Sequence, residues 1–124
     1  MKPVRHLLIV DDNPADVGLA CEALKQCCPT CQIHSVQDGV EALAFLEQRG
    51  NYSAMPRPDL VVLDLNLPKR GGFAVLAAMK ADPHLRQIPV IVFSTSQLSQ
   101  DVIRSYDLGA NCYVPKPGNL ADFF

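Results

Sequence analysis

Apolar runs of strand length recur along the chain, and four of them stop at or near a polar residue with chemistry of its own. Leu7-Leu8-Ile9-Val10 runs into Asp11-Asp12, Leu60-Val61-Val62-Leu63 into Asp64, and Val90-Ile91-Val92-Phe93 into Ser94, while Cys112-Tyr113-Val114 is separated from Lys116 by Pro115 alone. Together with a short run at 32–36, these predict five strands over about 5–10, 32–36, 60–63, 89–93 and 112–114. The stretches between them carry helical spacing and boundary signals. Asn13 offers an N-cap and Pro14 a first helical position, after which Val17, Cys21, Leu24 and Cys28 form one apolar stripe; a helix is expected to about residue 26. Asp38 and Glu41 stand three apart, as in a capping box, ahead of Ala42, Leu43, Phe45 and Leu46, and this helix is expected to end near Gly50. A third helix is expected over 73–80 and a fourth over about 98–108, with Gly109 as its C-cap. The run at 60–63 has no polar interruption, as a central strand covered on both faces requires.

Strands alternating with helices predict an α/β fold with a doubly wound parallel sheet, and right-handed crossovers restrict its topology. We expect the flavodoxin-like five-stranded order 2-1-3-4-5 in a single domain over 1–124. In that order the winding reverses between strands one and three, so the crevice opens between Asp11/Asp12 and Asp64. Residues 119–124 start a fifth helix about ten residues too short for a typical globular helix, so the fold is expected with that helix truncated. Apolar surface beside strand five and helix one would then be exposed, favouring a homodimer through the helix-four and strand-five side.

Parallel strands bring their carboxyl ends to one rim, so the polar residues at the strand ends describe a single site. Three carboxylates, a hydroxyl and an ammonium suit phosphoryl transfer through a divalent metal, with a carboxylate as nucleophile or ligand. Each residue also has an ordinary reading. Asp12 suits a helix start, and hydroxyls such as that of Ser94 commonly cap loops. Asp64 resists that treatment, because a carboxylate directly after four apolar residues is costly without a cation or donors. Lys116 lies between two prolines and is held by a stiff backbone. The conjunction carries the argument: complementary chemistry falls at four strand ends.

Composition narrows the classes. The net charge of −2 and an apolar content near half indicate neither disorder nor electrostatic nucleic-acid binding. The first apolar run is too short to span a membrane and meets two aspartates rather than a cleavage site, so a soluble cytoplasmic protein is expected. Five cysteines, an odd count, with no signal segment, argue for reduced thiols. Cys28-Pro29-Thr30-Cys31 has thioredoxin-like spacing but follows a helix, whereas redox motifs use a helix N-terminus to stabilise the thiolate. A zinc site from Cys27, Cys28, Cys31 and His34 would be cramped. The cysteines are read as small apolar residues near a helix end.

Val10-Asp11-Asp12, Leu63-Asp64-Leu65-Asn66-Leu67-Pro68, Phe93-Ser94, Gly109-Ala110 and Tyr113-Val114-Pro115-Lys116-Pro117 resemble the marks of the receiver domain of two-component response regulators, and the resemblance covers nearly the whole chain. The segment 49–58 and Leu85-Arg86-Gln87-Ile88-Pro89 also look like the single-domain regulators that serve phytochrome-type histidine kinases. The resemblance implies that Asp64 is the phosphoacceptor, attacking a phosphohistidine in line. It implies Mg²⁺ bound by Asp12, Asp64 and the Asn66 backbone carbonyl, with Asp11 acting through a water. Lys116 would pair with one phosphoryl oxygen and Ser94 would hydrogen-bond another. Ser94 and Tyr113 would be the switch, Tyr113 rotating toward the core and altering the face of strand five and helix four. The Lys116–Pro117 peptide would be cis.

The resemblance makes the chain a phosphoacceptor that assists its own phosphorylation rather than an enzyme, with a histidine kinase as partner and a downstream protein or phosphate carrier as output. DNA binding is not encoded. Ser94 replaces the commoner threonine, keeping the hydroxyl, and Thr95 is larger than the frequent alanine or glycine, so slow autodephosphorylation is expected. A haloacid-dehalogenase-like phosphatase would place Asp-x-Asp at the first strand, which Asp11-Asp12-Asn13 does not match. An FMN site would want a phosphate loop there, and Asp-Asp-Asn-Pro repels phosphate. The remaining alternative is a phosphorylation-independent pseudo-receiver used only for interaction, which need not retain so costly a cluster of like charges.

Overall fold

The computed structural model describes residues 4–95 and 98–116. Five strands, β1 (His6–Val10), β2 (Gln32–Val36), β3 (Leu60–Leu63), β4 (Val90–Ser94) and β5 (Cys112–Pro115), form one sheet. Every pair is parallel and the order is β2-β1-β3-β4-β5, as expected. Four helices alternate with them: α1 (Pro14–Cys27), α2 (Gly39–Leu46), α3 (Gly72–Ala81) and α4 (Ser99–Asp107). The central β1 and β3 are apolar on both faces because helices cover both. Leu8, Val10, Val61 and Leu63 enter the larger core with Leu43, Phe45, Leu46, Val75, Leu76 and Met79. On the other face Ile9, Val62 and Phe93 meet Ala20, with Val17, Cys21 and Leu24 of the α1 stripe packed against them.

The caps explain where each helix starts and stops. The Asn13 side chain accepts from the Ala15 and Asp16 N–H groups, with Pro14 in the first turn. The Asp38 carboxylate accepts from Glu41 N–H at 2.8 Å. Its expected reciprocal partner is used elsewhere, since Glu41 accepts from the Tyr52 hydroxyl at 3.0 Å. α2 ends at Leu46 rather than near Gly50, because Gln48 takes the left-handed position (φ 57°). Gln48 N–H then donates to Phe45 and Arg49 N–H to Ala44, the paired bonds of a Schellman ending built without glycine. α4 ends the same way with Gly109 (φ 101°), where Gly109 and Ala110 N–H groups donate to Tyr106 and Ser105.

One expectation needs correction. Cys28 and Cys31 are joined in a disulfide rather than held as reduced thiols, and the free cysteines among the described residues are Cys21, Cys27 and Cys112. A tight turn brings the two residues together, a constraint that arguments from compartment and odd count do not register. The fifth-helix start falls outside the described residues. Among the described residues an apolar cavity of about 190 Å³ opens between α1 and β4–β5, lined by Ala20, Leu24, Phe93 and Val114. No helix among them is long and apolar enough to cross a membrane.

Candidate functional site

The ladder of the sheet continues past the strand ends and carries the site residues with it. Asp11 N–H donates to the Val36 carbonyl (3.1 Å), Asp64 N–H to Val10 (2.9 Å) and Lys116 N–H to Ser94 (2.8 Å). Three chain segments therefore deliver side chains to one rim from a rigid platform. Each buried carboxylate is then fastened by its own chain. Asp11 Oδ1 accepts from Asn13 N–H at 3.0 Å and Asp64 Oδ1 from Asn66 N–H at 3.2 Å.

The second oxygens face Lys116. Its Nζ lies 2.8 Å from Asp11 Oδ2, 3.0 Å from Asp64 Oδ2 and 2.8 Å from Asp16 Oδ2. An ammonium has three protons to donate, and here three carboxylates receive them. The Lys116 side chain is only 4% exposed. Burial works to lower its pKa, but the hydrogen bonds to Asp11, Asp16 and Asp64 outweigh it and hold the group above the ordinary lysine value, so it stays charged. Asp11 is pushed upward, chiefly by burial and further by the Asp64 charge, against the pull of Lys116 and Asn13 N–H. The site thus holds more negative charge than its one ammonium satisfies.

Asp12 is exposed beside these buried groups, and ligand oxygens of Asp11, Asp12 and Asp64 all lie within 4.8 Å of one another. A set of carboxylate oxygens that close fits a hard divalent cation. Among the described residues, no other group of three His, Cys, Asp or Glu side chains converges in this way, so the cysteines and His34 make no such site.

The remaining residues are distributed around this centre. Ser94 is buried at the end of β4 and Thr95 is exposed next to it. Asn66 is exposed just beyond Asp64. Tyr113, on β5, is half-buried against the larger core, and its N–H donates to the Tyr106 hydroxyl of α4 at 3.2 Å, linking the two elements. The Lys116–Pro117 peptide lies outside the described residues. Gly72 makes the β3–α3 turn possible, because a Cβ there would run into the Asp64 carbonyl and the Leu65 backbone.

Asp16 was not anticipated from the sequence. An acidic residue in a first helical turn has an ordinary explanation in the helix dipole. Its spacing from Asp12 carries no signal either, because Asp12 precedes the N-cap Asn13 and lies outside α1.

Residues 7–124 match the family profile described as the response regulator receiver domain. Response regulator Rcp1 of Synechocystis sp. is 47% identical over 122 residues, spanning 98% of this chain and 83% of that protein. Among solved structures, the phosphorylated cyanobacterial phytochrome response regulator RcpA superposes with a TM-score of 0.91 at 46% identity, covering 98% of this chain and 86% of that one. The Mn²⁺-bound form of Rcp1 gives the same TM-score of 0.91 and 46% identity, over 96% of this chain and 86% of that one.

Proposed function

The chain belongs to the response regulator receiver domain family, and from that premise we propose that it accepts a phosphoryl group from a histidine kinase onto Asp64. The observation that carries this reading is the shared grip of Lys116 on Asp64, Asp11 and Asp16 at the carboxyl end of the sheet. In the transfer, an Asp64 carboxylate oxygen forms a bond to the phosphorus of a phosphohistidine while the P–N bond breaks and the imidazole leaves with the electron pair, taking up a proton. The product is an aspartyl phosphate. The Lys116 ammonium shifts to a phosphoryl oxygen, and the Ser94 hydroxyl donates to another. A divalent cation, Mg²⁺ in this proposal, would be held by Asp12, Asp64 and the Asn66 carbonyl, with Asp11 acting through water. It supplies neutralisation of the carboxylates and of the transferring charge.

Asp16 gives this site a brake. It occupies the third proton of Lys116, so a phosphoryl oxygen competes with a resident carboxylate for the ammonium. Thr95, next to Ser94, narrows the approach of water and slows hydrolysis of the aspartyl phosphate; a Thr95→Ala variant should lose phosphate faster.

The added phosphate brings about −1.5 to −2 charges. Ser94 and Tyr113 respond, and the α4–β5 face, where Leu98, Ile103 and Tyr106 are exposed, becomes the surface for a downstream partner or a second copy. Such a change requires that the phosphorylated site bind one arrangement better than the other. RcpA is a cyanobacterial phytochrome response regulator and RtBRR a bacteriophytochrome response regulator, which supports a phytochrome-type kinase as the source of phosphate. A cytoplasmic location accords with a kinase partner.

The test is phosphate incorporation from acetyl phosphate or a histidine kinase with and without Mg²⁺, read by intact mass beside Asp64→Asn. We expect incorporation in the parent alone, and only with the metal. A folded parent that takes up no phosphate from a competent donor would instead act as an interaction module.

A further inference from the structure

At the opposite end of the sheet, the turn from α1 to β2 holds chemistry that phosphotransfer does not use. Cys28 caps α1 through its N–H to the Leu24 carbonyl (2.7 Å), and Cys31 N–H donates back to the Cys28 carbonyl (3.2 Å). Cys28-Pro29-Thr30-Cys31 is thus a hydrogen-bonded four-residue turn, with proline where a turn accepts it best. The turn holds the two Cα atoms 5.6 Å apart, within the span of a disulfide. The backbone itself places the sulfurs together, so the bond can open and close without moving the chain. Both cysteines are half-buried, while Pro29 and Thr30 are exposed, leaving the bond open to attack from solvent.

A disulfide around four residues removes less freedom from the unfolded chain than one that closes a long loop, so it is a weaker staple. Exchange is what distinguishes such a bond. The sulfurs of Cys28 and Cys31 lie 3.6 and 3.2 Å from the Val4 carbonyl. In the dithiol, that oxygen is placed to accept an S–H, so both states have a seat in the same structure. We propose that Cys28 and Cys31 form a reversible dithiol–disulfide site that exchanges with a dithiol reductant. One thiolate of the reductant forms an S–S bond with Cys28, breaking the Cys28–Cys31 bond, and the Cys31 thiolate leaves and takes up a proton. The second thiol of the reductant then displaces Cys28. The pair has gained two electrons and two protons, and the reductant has become a disulfide. Cys31 is the better leaving group because Cys28 sits at the negative end of α1, where a thiolate is disfavoured. The same helix end shifts the balance toward the disulfide, compared with motifs that place their cysteine at a helix N-terminus.

The site is independent of phosphate chemistry and is tested without it. The folded full chain is equilibrated with graded ratios of reduced and oxidised dithiothreitol, alkylated with iodoacetamide and mapped by peptide mass. Cys28 and Cys31 should pass from unlabelled to labelled together, with one midpoint, while labelling of Cys21, Cys27 and Cys112 does not follow that ratio. Cys31→Ser should leave Cys28 labelled at every ratio, because the second thiol of the reagent releases any mixed disulfide and no partner sulfur remains in the turn. Labelling of both residues before any reductant, separate midpoints, or a pair that opens only when the chain is unfolded would each overturn the proposal. The double variant Cys28→Ser/Cys31→Ser should lose the transition while retaining the fold by circular dichroism.

Discussion

The two rims of the sheet are built from the same backbone ladder and treat charge in opposite ways. At the amino end, polar side chains match the groups they meet. Asp59 Oδ2 accepts the N–H groups of Arg5 (2.9 Å) and His6 (3.1 Å), and Asn111 Oδ1 accepts that of Val90 (3.0 Å), closing the starts of β1 and β4. At the carboxyl end, Asp11, Asp12, Asp16 and Asp64 gather around one ammonium, and burial holds Asp11 above the usual carboxylate range. One rim is satisfied and the other is in deficit of positive charge. That deficit is what a divalent cation relieves, and it marks the functional end of the molecule more sharply than any single residue does.

Removing Lys116 should break the contrast most severely. Lys116→Ala leaves buried carboxylates with no counter-charge, and losing one partner of a buried pair costs about 3–5 kcal/mol. Urea unfolding in EDTA should show that loss, and millimolar Mg²⁺ should recover part of it. A variant as stable as the parent in EDTA would mean the acidic rim does not depend on its ammonium. Asp59→Ala is the counterpart at the other end. It removes the acceptor of two backbone N–H groups, but that of Arg5 is exposed and that of His6 only part-buried, so water replaces much of it and the loss should stay at about 1 kcal/mol, with phosphate uptake per folded molecule unchanged.

Asp16→Ala sharpens the comparison within the acidic rim. The side chain is 25% exposed, so solvent screens its pair with Lys116 and the stability change should stay below about 1 kcal/mol. The rate should respond more clearly. With one competitor for the ammonium removed, initial phosphorylation by acetyl phosphate should rise about fivefold, the equivalent of about 1 kcal/mol in the barrier. An Asp16→Glu variant that keeps the parent rate would assign the effect to the carboxylate rather than to packing. A slower Asp16→Ala protein would show that Asp16 positions Lys116 instead of restraining it.

Much of this was legible in the sequence, for local reasons. Uninterrupted apolar runs ending in Asp11, Asp64 and Ser94 announced strands and a shared rim, and the handedness of crossovers then allowed few sheet orders. β2 and β3 match the expected bounds, 32–36 and 60–63. The misses have physical causes. Gln48 ends α2 in a conformation that sequence arguments reserve for glycine or asparagine, since its paired backbone bonds and the Nε2 bond to the Met55 carbonyl (2.8 Å) hold it there. Asp16 was hidden by a sufficient local explanation, and its partner lies 100 positions away in sequence. The Cys28–Cys31 bond was obscured because thiol state was argued from compartment, whereas the turn decides whether two sulfurs can meet.

The smallest expected effect returns to the amino-end rim, where one pair of side chains is less settled than its neighbours. His6 Nδ1 and His34 Nε2 lie 3.4 Å apart with their rings stacked, and the His34 ring also packs 5.4 Å from that of Phe45. Burial pushes the His34 pKa below the ordinary value, and the neighbouring His6 pushes it the same way. A histidine lowered on folding binds fewer protons in the native state than in the unfolded chain. Its contribution is therefore fully present above the ordinary value of about 6.5 and is lost as pH falls through it. Asp11 acts with the opposite sign, because its raised carboxyl takes up a proton more readily when folded and so gains stability as pH falls. Measuring Tm between about pH 7.5 and about pH 5.5 in the parent and in His34→Gln separates the two. The parent should lose more stability than the variant over that interval. Equal slopes would mean that the imidazole pair accommodates a proton without cost.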